Sequence, residues 1–270
     1  MKIKKIIVNT VKVLVFFIGW ALCVSIGEIS TDDPTLWRFG AEMFPLLWTL
    51  LFTVIFLLIE RGRIKIPILH NFARGSLTGL AAGILWIGIS AGALLLTGAA
   101  EITLGSEMEH LWLWVLSAFI NTVMQELLVR GYIYQLLKKE FNTVTAVIVS
   151  TALFTFMHSG AFEAGLIPVL NVITMSLFMS ALYEKSETIA APVLAHGVWN
   201  IAGAIILGGV SLADDYPSLF SMSSVGNVLL SGGDYKIEGS IVVLALNVLF
   251  GLFFLLRLRS KTDRNGSEAP

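Results

Sequence analysis

The sequence predicts an all-α fold, a polytopic membrane bundle of about eight transmembrane helices. Apolar residues make up 56% of the chain and charged residues 14%, whereas a soluble domain has about 25% charged residues. The apolar residues also come in blocks of about 20, the length that crosses a hydrocarbon core. The net charge of −1 argues against a nucleic-acid partner, because such partners select strongly basic surfaces. The lipid bilayer is the expected surrounding.

The predicted spans follow from the apolar blocks, and the first is taken as an uncleaved helix because no Ala-x-Ala cleavage pattern follows it. A polar tail over 262–270 is expected to be unstructured. In chain order, the predicted spans are 6–27, 40–59, 76–98, 110–137, 142–159, 164–184, 188–210 and 238–257.

The charges between the spans predict an orientation. If the chain crosses eight times, nearly all Lys and Arg residues fall on one side, and Arg38 and Lys236 are the exceptions. An excess of Lys and Arg marks the cytoplasmic side. We therefore expect a multi-pass protein of the cell membrane with both termini in the cytoplasm.

The fourth predicted span contains Gln125, Glu126 and Arg130. A charged side chain at mid-bilayer costs about 2.5–3.5 kcal/mol on insertion scales, so such residues tend to be paired and functional. Glu126 and Arg130 are four residues apart, so they share a helix face and are predicted to pair. The pair either aims an ionised carboxylate at a reacting group or only holds helices together.

Two histidines lie in later spans. His158 closes the run Phe-Thr-Phe-Met-His at the end of the fifth span, and His196 precedes Asn200 by four residues in the seventh. Each has a structural alternative. His158 fits a capping or interfacial residue, and His196 with Asn200 fits a hydrogen-bonded pair between helices.

Together these groups supply a base, an orienting cation and hydrogen-bond donors, which are the parts of a hydrolytic site. Glu126, His158 and His196 are also a ligand set that suits zinc with an open position, although no His-Glu-x-x-His helix is present. A transporter or proton relay uses the same residue types, but the chain lacks the broken-helix repeats of transporters.

The order Glu-x-x-x-Arg, Phe-x-x-x-His and His-x-x-x-Asn on separate helices resembles the CPBP (ABI) intramembrane protease family. That family includes the type II CAAX prenyl endopeptidases and bacterial relatives linked to bacteriocin immunity. The resemblance covers about 110–205. It implies that 110–210 is a catalytic core with helices 4–7, preceded by helices 1–3 in 1–109. The remainder, 211–270, would hold an outer loop, helix 8 and a cytoplasmic tail.

The resemblance implies an endopeptidase for a membrane-associated or lipid-anchored protein or peptide, but one motif position differs. The family's first motif usually reads Glu-Glu-x-x-x-Arg, and Gln125 stands at the first glutamate. That glutamate is implied to activate the attacking water, and glutamine cannot usefully take up a proton. Either Glu126 does this work, or the site is weakened or inactive. The candidate catalytic residues are Gln125, Glu126, Arg130, His158, His196 and Asn200.

Two forms of the chemistry stay open. In the metal-free form, Glu126 and His158 polarise a water, and His196 and Asn200 hydrogen-bond to the oxyanion. In the other form, Glu126, His158 and His196 bind Zn²⁺, as the family's description as metalloproteases implies. The alternative function is a non-catalytic member that acts in bacteriocin immunity or as a binding partner, and Gln125 favours it.

Overall fold

The computed structural model describes residues 2–213 and 215–266, and it is almost entirely helical. Among the described residues, six helices are long and apolar enough to cross a membrane, and two apolar helices are shorter. The all-α polytopic fold class is therefore confirmed. The helices are α1 Lys2–Ser25, α2 Pro34–Ile59, α3 Phe72–Leu96, α4 Leu111–Arg130, α5 Tyr132–Glu140, α6 Thr143–Met157, α7 Gly160–Ala164, α8 Leu166–Ser186, α9 Ala190–Asn200, α10 Val228–Ser231, α11 Lys236–Gly239 and α12 Ile241–Gly266.

Each of the eight predicted spans overlaps one of the long or short apolar helical segments, and two of these segments are short. Thr143–Met157 has 15 residues, and α9 runs on into a π-helix to give Ala190–Ile206. At 1.5 Å per residue these measure about 22 and 26 Å, somewhat less than a hydrocarbon core of about 30 Å. They are the helices that carry or precede the candidate histidines.

Helix α2 begins where the sequence provides a complete N-terminal cap. Asp33 Oδ1 accepts hydrogen bonds from the backbone N–H groups of Leu36 (3.0 Å) and Thr35 (2.8 Å), and Pro34 occupies the first turn. These interactions satisfy donors that a helix start leaves unpaired. The Leu36 and Thr35 N–H groups hold the pKa of Asp33 below its ordinary value.

The chain divides into two compact units, and the first comprises Met1–Ile66 and Glu109–Leu153. In it, α2 packs along α4, and α1 contacts α2 and α5. Aromatic rings fill the contact between α1, α2 and α5. The Phe16 and Tyr132 rings stack with centroids 5.2 Å apart, and Phe56 lies 5.1 Å from Tyr132.

A buried carboxylate at the end of α2 anchors the first unit. Glu60 accepts hydrogen bonds from Lys12 and from the Tyr132 hydroxyl (3.2 Å), and Arg63 Nη1 lies 3.4 Å away. Burial alone would raise the pKa of Glu60, but the Lys12 hydrogen bond and the neighbouring cations hold that pKa below its ordinary value. The carboxylate therefore stays ionised and ties α1, α2 and α5 together.

The second unit comprises Pro67–Met108 and Phe154–Pro270, and close packing of α3 against α9 dominates it. Three glycines of α3, each four residues apart, form one helix face: Gly75, Gly79 and Gly83. A Cβ atom at Gly79 would overlap the carbonyl oxygen of Ala191, and one at Gly83 would lie 2.8 Å from the oxygen of Ala195. Small residues let two membrane helices approach this closely.

Aromatic stacking fixes α9 further. The Trp199 ring stacks on Trp86 of α3 at 3.8 Å, and Trp86 meets Phe178 of α8 edge to face at 5.4 Å. Helix α8 packs along α12. Trp86 and Trp199 are almost fully buried, so the stack strengthens the contact of α9 with α3.

The span predicted at 110–137 lies within one candidate membrane span, Leu111–Glu140, in which a break at Gly131 separates α4 from α5. The structure corrects two other expectations. The outer segments are not plain loops, because β1 (Ala100–Leu104) pairs antiparallel with β2 (Phe220–Ser224). The tail predicted to be unstructured continues α12 to Gly266, and residues 267–270 lie outside the described residues.

Candidate active site

The first part of the candidate site is a buried ion pair on α4. Arg130 Nη1 donates to Glu126 Oε1 at 2.9 Å, and both side chains are 0% exposed. The pairing is the one that their spacing predicts. Removing one partner of such a pair costs about 3–5 kcal/mol, because the other charge stays buried. The guanidinium therefore pairs with Glu126 and fixes the direction of its carboxylate.

Gln125 belongs to a chain of hydrogen bonds between α4 and α2. Its Nε2 donates to Asn121 Oδ1 at 2.9 Å, Asn121 Nδ2 donates to Glu42 Oε2 at 2.8 Å, and Arg38 Nη1 donates to Glu42 Oε1 at 3.1 Å. Glu42 is 5% exposed. Sequence reasoning missed Glu42, although a carboxylate inside a predicted span is itself a signal of function.

The second part of the site begins at His158, the first residue after α6. Its Nδ1 lies 2.8 Å from the carbonyl oxygen of Phe154. A carbonyl only accepts, so Nδ1 carries the hydrogen and the neutral ring has its lone pair on Nε2. The ring also packs on Phe154, with centroids 4.3 Å apart. His158 is half-buried and held in one tautomer.

His196 and Asn200 lie on one face of α9 and are 2% and 3% exposed. The His196 ring meets Phe154 edge to face, with centroids 5.9 Å apart. Phe154 thus lies against both histidines, and the structure brings His158 and His196 to one aromatic side chain. Trp199, stacked on α3, fixes the helix turn that carries Asn200.

Each compact unit holds its own part of the predicted site. The first contains Gln125, Glu126 and Arg130 on α4, and the second contains the two histidines and Asn200. In the part of the chain that the structure describes, no group of three or more His, Cys, Asp or Glu side chains is arranged to hold a metal ion. The zinc set of Glu126, His158 and His196 therefore gains no support from the structure, and its residues' roles stay predictions.

Comparison with known families places this region. Residues 107–202 match the family model described as Type II CAAX prenyl endopeptidase Rce1-like. This region is similar to the CAAX proteases. The match runs from just before α4 into the π-helix after α9, and it contains every candidate residue predicted from the sequence. The family predicted from the three motifs is thereby confirmed. No curated protein and no solved structure matches the chain.

The CAAX protease match supports a protease at the level of the family, in a multi-pass membrane protein. It covers less than half of the chain, and α1, α2 and α3 lie before it. Those helices nonetheless contact the matched core. Within the first unit α2 supplies Glu42 to α4, and within the second α3 supplies the glycine face to α9.

Proposed function

We propose that the protein is an intramembrane endopeptidase that hydrolyses a peptide bond in a membrane-associated or lipid-anchored protein or peptide. One observation supports this best. The segment that matches a protease family contains a fully buried carboxylate, Glu126, paired with Arg130. Buried charges within membrane helices are expensive, so they are retained mainly where they serve a function.

In the proposed reaction, Glu126 and His158 activate a water molecule. The Nε2 lone pair of His158 accepts a hydrogen bond from the water, because Nδ1 is committed to the Phe154 carbonyl. The water oxygen attacks the peptide carbonyl carbon and gives up a proton to this pair of residues. The C–N bond then breaks, the proton passes to the departing amine, and the second product is a carboxylic acid.

His196 and Asn200 are proposed to donate hydrogen bonds to the oxyanion. Donors that are fixed before the reaction lower its barrier most, and each is worth about 2.7–4 kcal/mol in known proteases. Both residues are buried on α9, which the α3 glycine face and the stacking of Trp86 on Trp199 hold rigid. Arg130 orients Glu126 and does not itself contact the substrate.

We propose that the protein lies in the cell membrane with both termini in the cytoplasm. The two basic residues that oppose this orientation are bound within the protein. Arg38 donates to Glu42, and Lys236 Nζ donates to the carbonyl oxygen of Gly208 at 2.7 Å. A basic side chain that is paired within the protein should influence the orientation of its loop less than a solvated one does.

The direct test is cleavage by the full chain reconstituted in lipid vesicles, with fluorogenic peptides that carry a prenyl anchor, an acyl anchor or none. Glu126→Gln, His158→Gln and His196→Gln should each lower kcat/KM by about 10²–10⁴-fold. His70→Gln is the matched control, because His70 is exposed and outside the site. Wild-type cleavage by all three site variants, at unchanged Tm, would contradict the proposal.

The same assay separates the two forms of the chemistry. If zinc is bound, Glu126, His158 and His196 would hold it, and the ion would polarise the attacking water. Preincubation with a zinc chelator should leave cleavage unchanged in the metal-free form that we propose. Loss of cleavage that added Zn²⁺ restores would assign the metal form instead.

A non-catalytic role in bacteriocin immunity, or as a binding partner, is the second candidate, and Gln125 favours it because an amide replaces the family's first carboxylate. Cells that express the wild type or Glu126→Gln at matched levels would be challenged with a bacteriocin. Protection that depends on the protein and survives Glu126→Gln would support this candidate.

A further inference from the structure

A series of hydrogen bonds links Arg38, Glu42, Asn121 and Gln125. Donors and acceptors in this series can be assigned in only one way, because the groups at its Arg38 end have fixed roles. Arg38 only donates, and the Glu42 carboxylate paired with it only accepts. Asn121 must therefore present its Nδ2 hydrogen to Glu42, as the 2.8 Å contact shows. Its Oδ1 then faces Gln125, which can respond only by donating from Nε2.

Because Gln125 donates from its amide nitrogen to Asn121, its amide oxygen is the atom that faces away from this series of hydrogen bonds. Gln125 Oε1 is buried and has no hydrogen-bond partner among the residues that the structure describes. A buried acceptor left without a donor costs about 1–3 kcal/mol. Its retention at the position of the family's first glutamate points to a ligand that donates a hydrogen bond there.

We infer that Glu42, acting through Asn121, turns the Gln125 amide so that its oxygen accepts a hydrogen bond from the attacking water. The inference rests on the proposed protease function. Gln125 then positions the water that is deprotonated in the proposed reaction. Glu42 is a positioning residue, because it acts only through Asn121 and Gln125.

The same logic explains why glutamine at position 125 suits this chain. A glutamate there would place carboxylates on both sides of Asn121, whose amide offers one side a donor and the other an acceptor. One carboxylate would face the Asn121 oxygen and be repelled. With Glu42 present, glutamine at 125 is the residue that satisfies every hydrogen bond and still presents an oxygen.

Replacing Glu42 by glutamine should reverse the orientation of the Asn121 and Gln125 amides. Arg38 requires an acceptor, so the new amide at position 42 would turn its oxygen to Arg38 and its nitrogen to Asn121. Asn121 would flip, Gln125 would accept from it, and the Gln125 nitrogen would face the water. In E42Q/Q125E, by contrast, the flipped Asn121 donates to the new carboxylate and all partners are again complementary.

The experiment is a double-mutant cycle of E42Q, Q125E and E42Q/Q125E, each reconstituted as the full chain. For cleavage, E42Q should lower kcat by roughly ten- to a hundredfold, with KM changed less than about twofold. The double variant should recover to within about threefold of the wild type or exceed it. Recovery by a second substitution distinguishes lost orientation from general damage to the fold.

Thermal unfolding of the same four proteins tests the orientation without any assay of activity. The double variant should unfold at a higher temperature than Q125E, because it removes the clash across Asn121. If the two substitutions act additively on Tm, Glu42 does not set the direction of the amides and the inference is wrong. If Tm shows the coupling but no variant, wild type included, cleaves any peptide, the proposed function and the role in water binding fail, while the orientation stands.

Discussion

Glu238 is a single carboxyl group whose surroundings favour its neutral form. Its Oε2 accepts the backbone N–H of Ser211 at 2.8 Å, and its own carbonyl oxygen accepts from Asn171 Nδ2 at 2.7 Å. Burial raises the pKa of Glu238 to about 7, and the Ser211 N–H only partly offsets this. The side chain of Glu238 therefore joins α11 to the segment after the π-helix in a way that depends on pH, whereas its contact with α8 is made by the backbone.

The sign of that dependence follows from the raised pKa. Between the ordinary value of 4.5 and about 7, the folded protein holds a proton that the unfolded chain releases. Stability should thus fall as pH rises through this window, by at most about 3 kcal/mol, and then level off. Glu238→Gln keeps the acceptor for Ser211 and should unfold at a higher temperature than the wild type at pH 8. Wild-type and variant Tm curves that stay parallel from pH 4.5 to 8 would contradict this.

At the scale of elements, the contact between α3 and α9 decides how precisely His196 and Asn200 are placed. The glycine face of α3 brings its backbone close to the α9 backbone at Ala191 and Ala195. Beyond Asn200 the helix widens into the π-helix Ile201–Ile206, a feature often found at functional sites. A small change on α3 should therefore be transmitted to the proposed oxyanion donors.

Gly79→Ala and Gly88→Ala test this contact as a matched pair on one helix. A methyl group at Gly79 overlaps the Ala191 backbone, whereas one at Gly88 meets no atom within 4 Å. Gly79→Ala should destabilise the protein by about 1–3 kcal/mol and lower cleavage, and Gly88→Ala should be neutral or slightly stabilising. Thermal unfolding in detergent measures both. Equal Tm values for the two variants would show that the close approach is unimportant.

At the scale of the whole molecule, the proposed orientation rests on loop charge. Basic residues accumulate on the side of both termini, and the exceptions Arg38 and Lys236 have internal partners. Excess Lys and Arg is retained on the cytoplasmic side during insertion. The orientation therefore predicts the location of every loop.

Reporter fusions check that prediction. Green fluorescent protein fused after residue 270 should fluoresce, because it would fold in the cytoplasm. Alkaline phosphatase inserted at the exposed Gly226 should be active, because it would lie outside. Two inactive reporters would invert the orientation, and one active with one inactive reporter would place both sites on the same side and require an even number of crossings between them.

The sequence allowed most of the helices to be predicted and less of their detail. Apolar blocks locate the membrane helices because hydrocarbon sets their length, and the ion pair of Glu126 with Arg130 follows from helix geometry. Partners distant in sequence were missed. Glu42 meets Asn121 only once α2 packs on α4, and nothing local in Ala100–Leu104 indicates pairing with Phe220–Ser224.

The pairing of β1 with β2 also constrains when the protein can complete its fold during synthesis. About 120 residues separate β1 from β2 along the chain, so at about 5–20 residues per second β1 is made roughly 6 to 24 s before its partner. The second unit cannot complete its fold until β2 has been synthesised, because it combines α3 and β1 with elements from Phe154 onward. During that interval β1 lacks its partner, and an unpaired strand edge is a surface on which another chain can pair. The strand pair thereby ties completion of the fold to near-completion of translation.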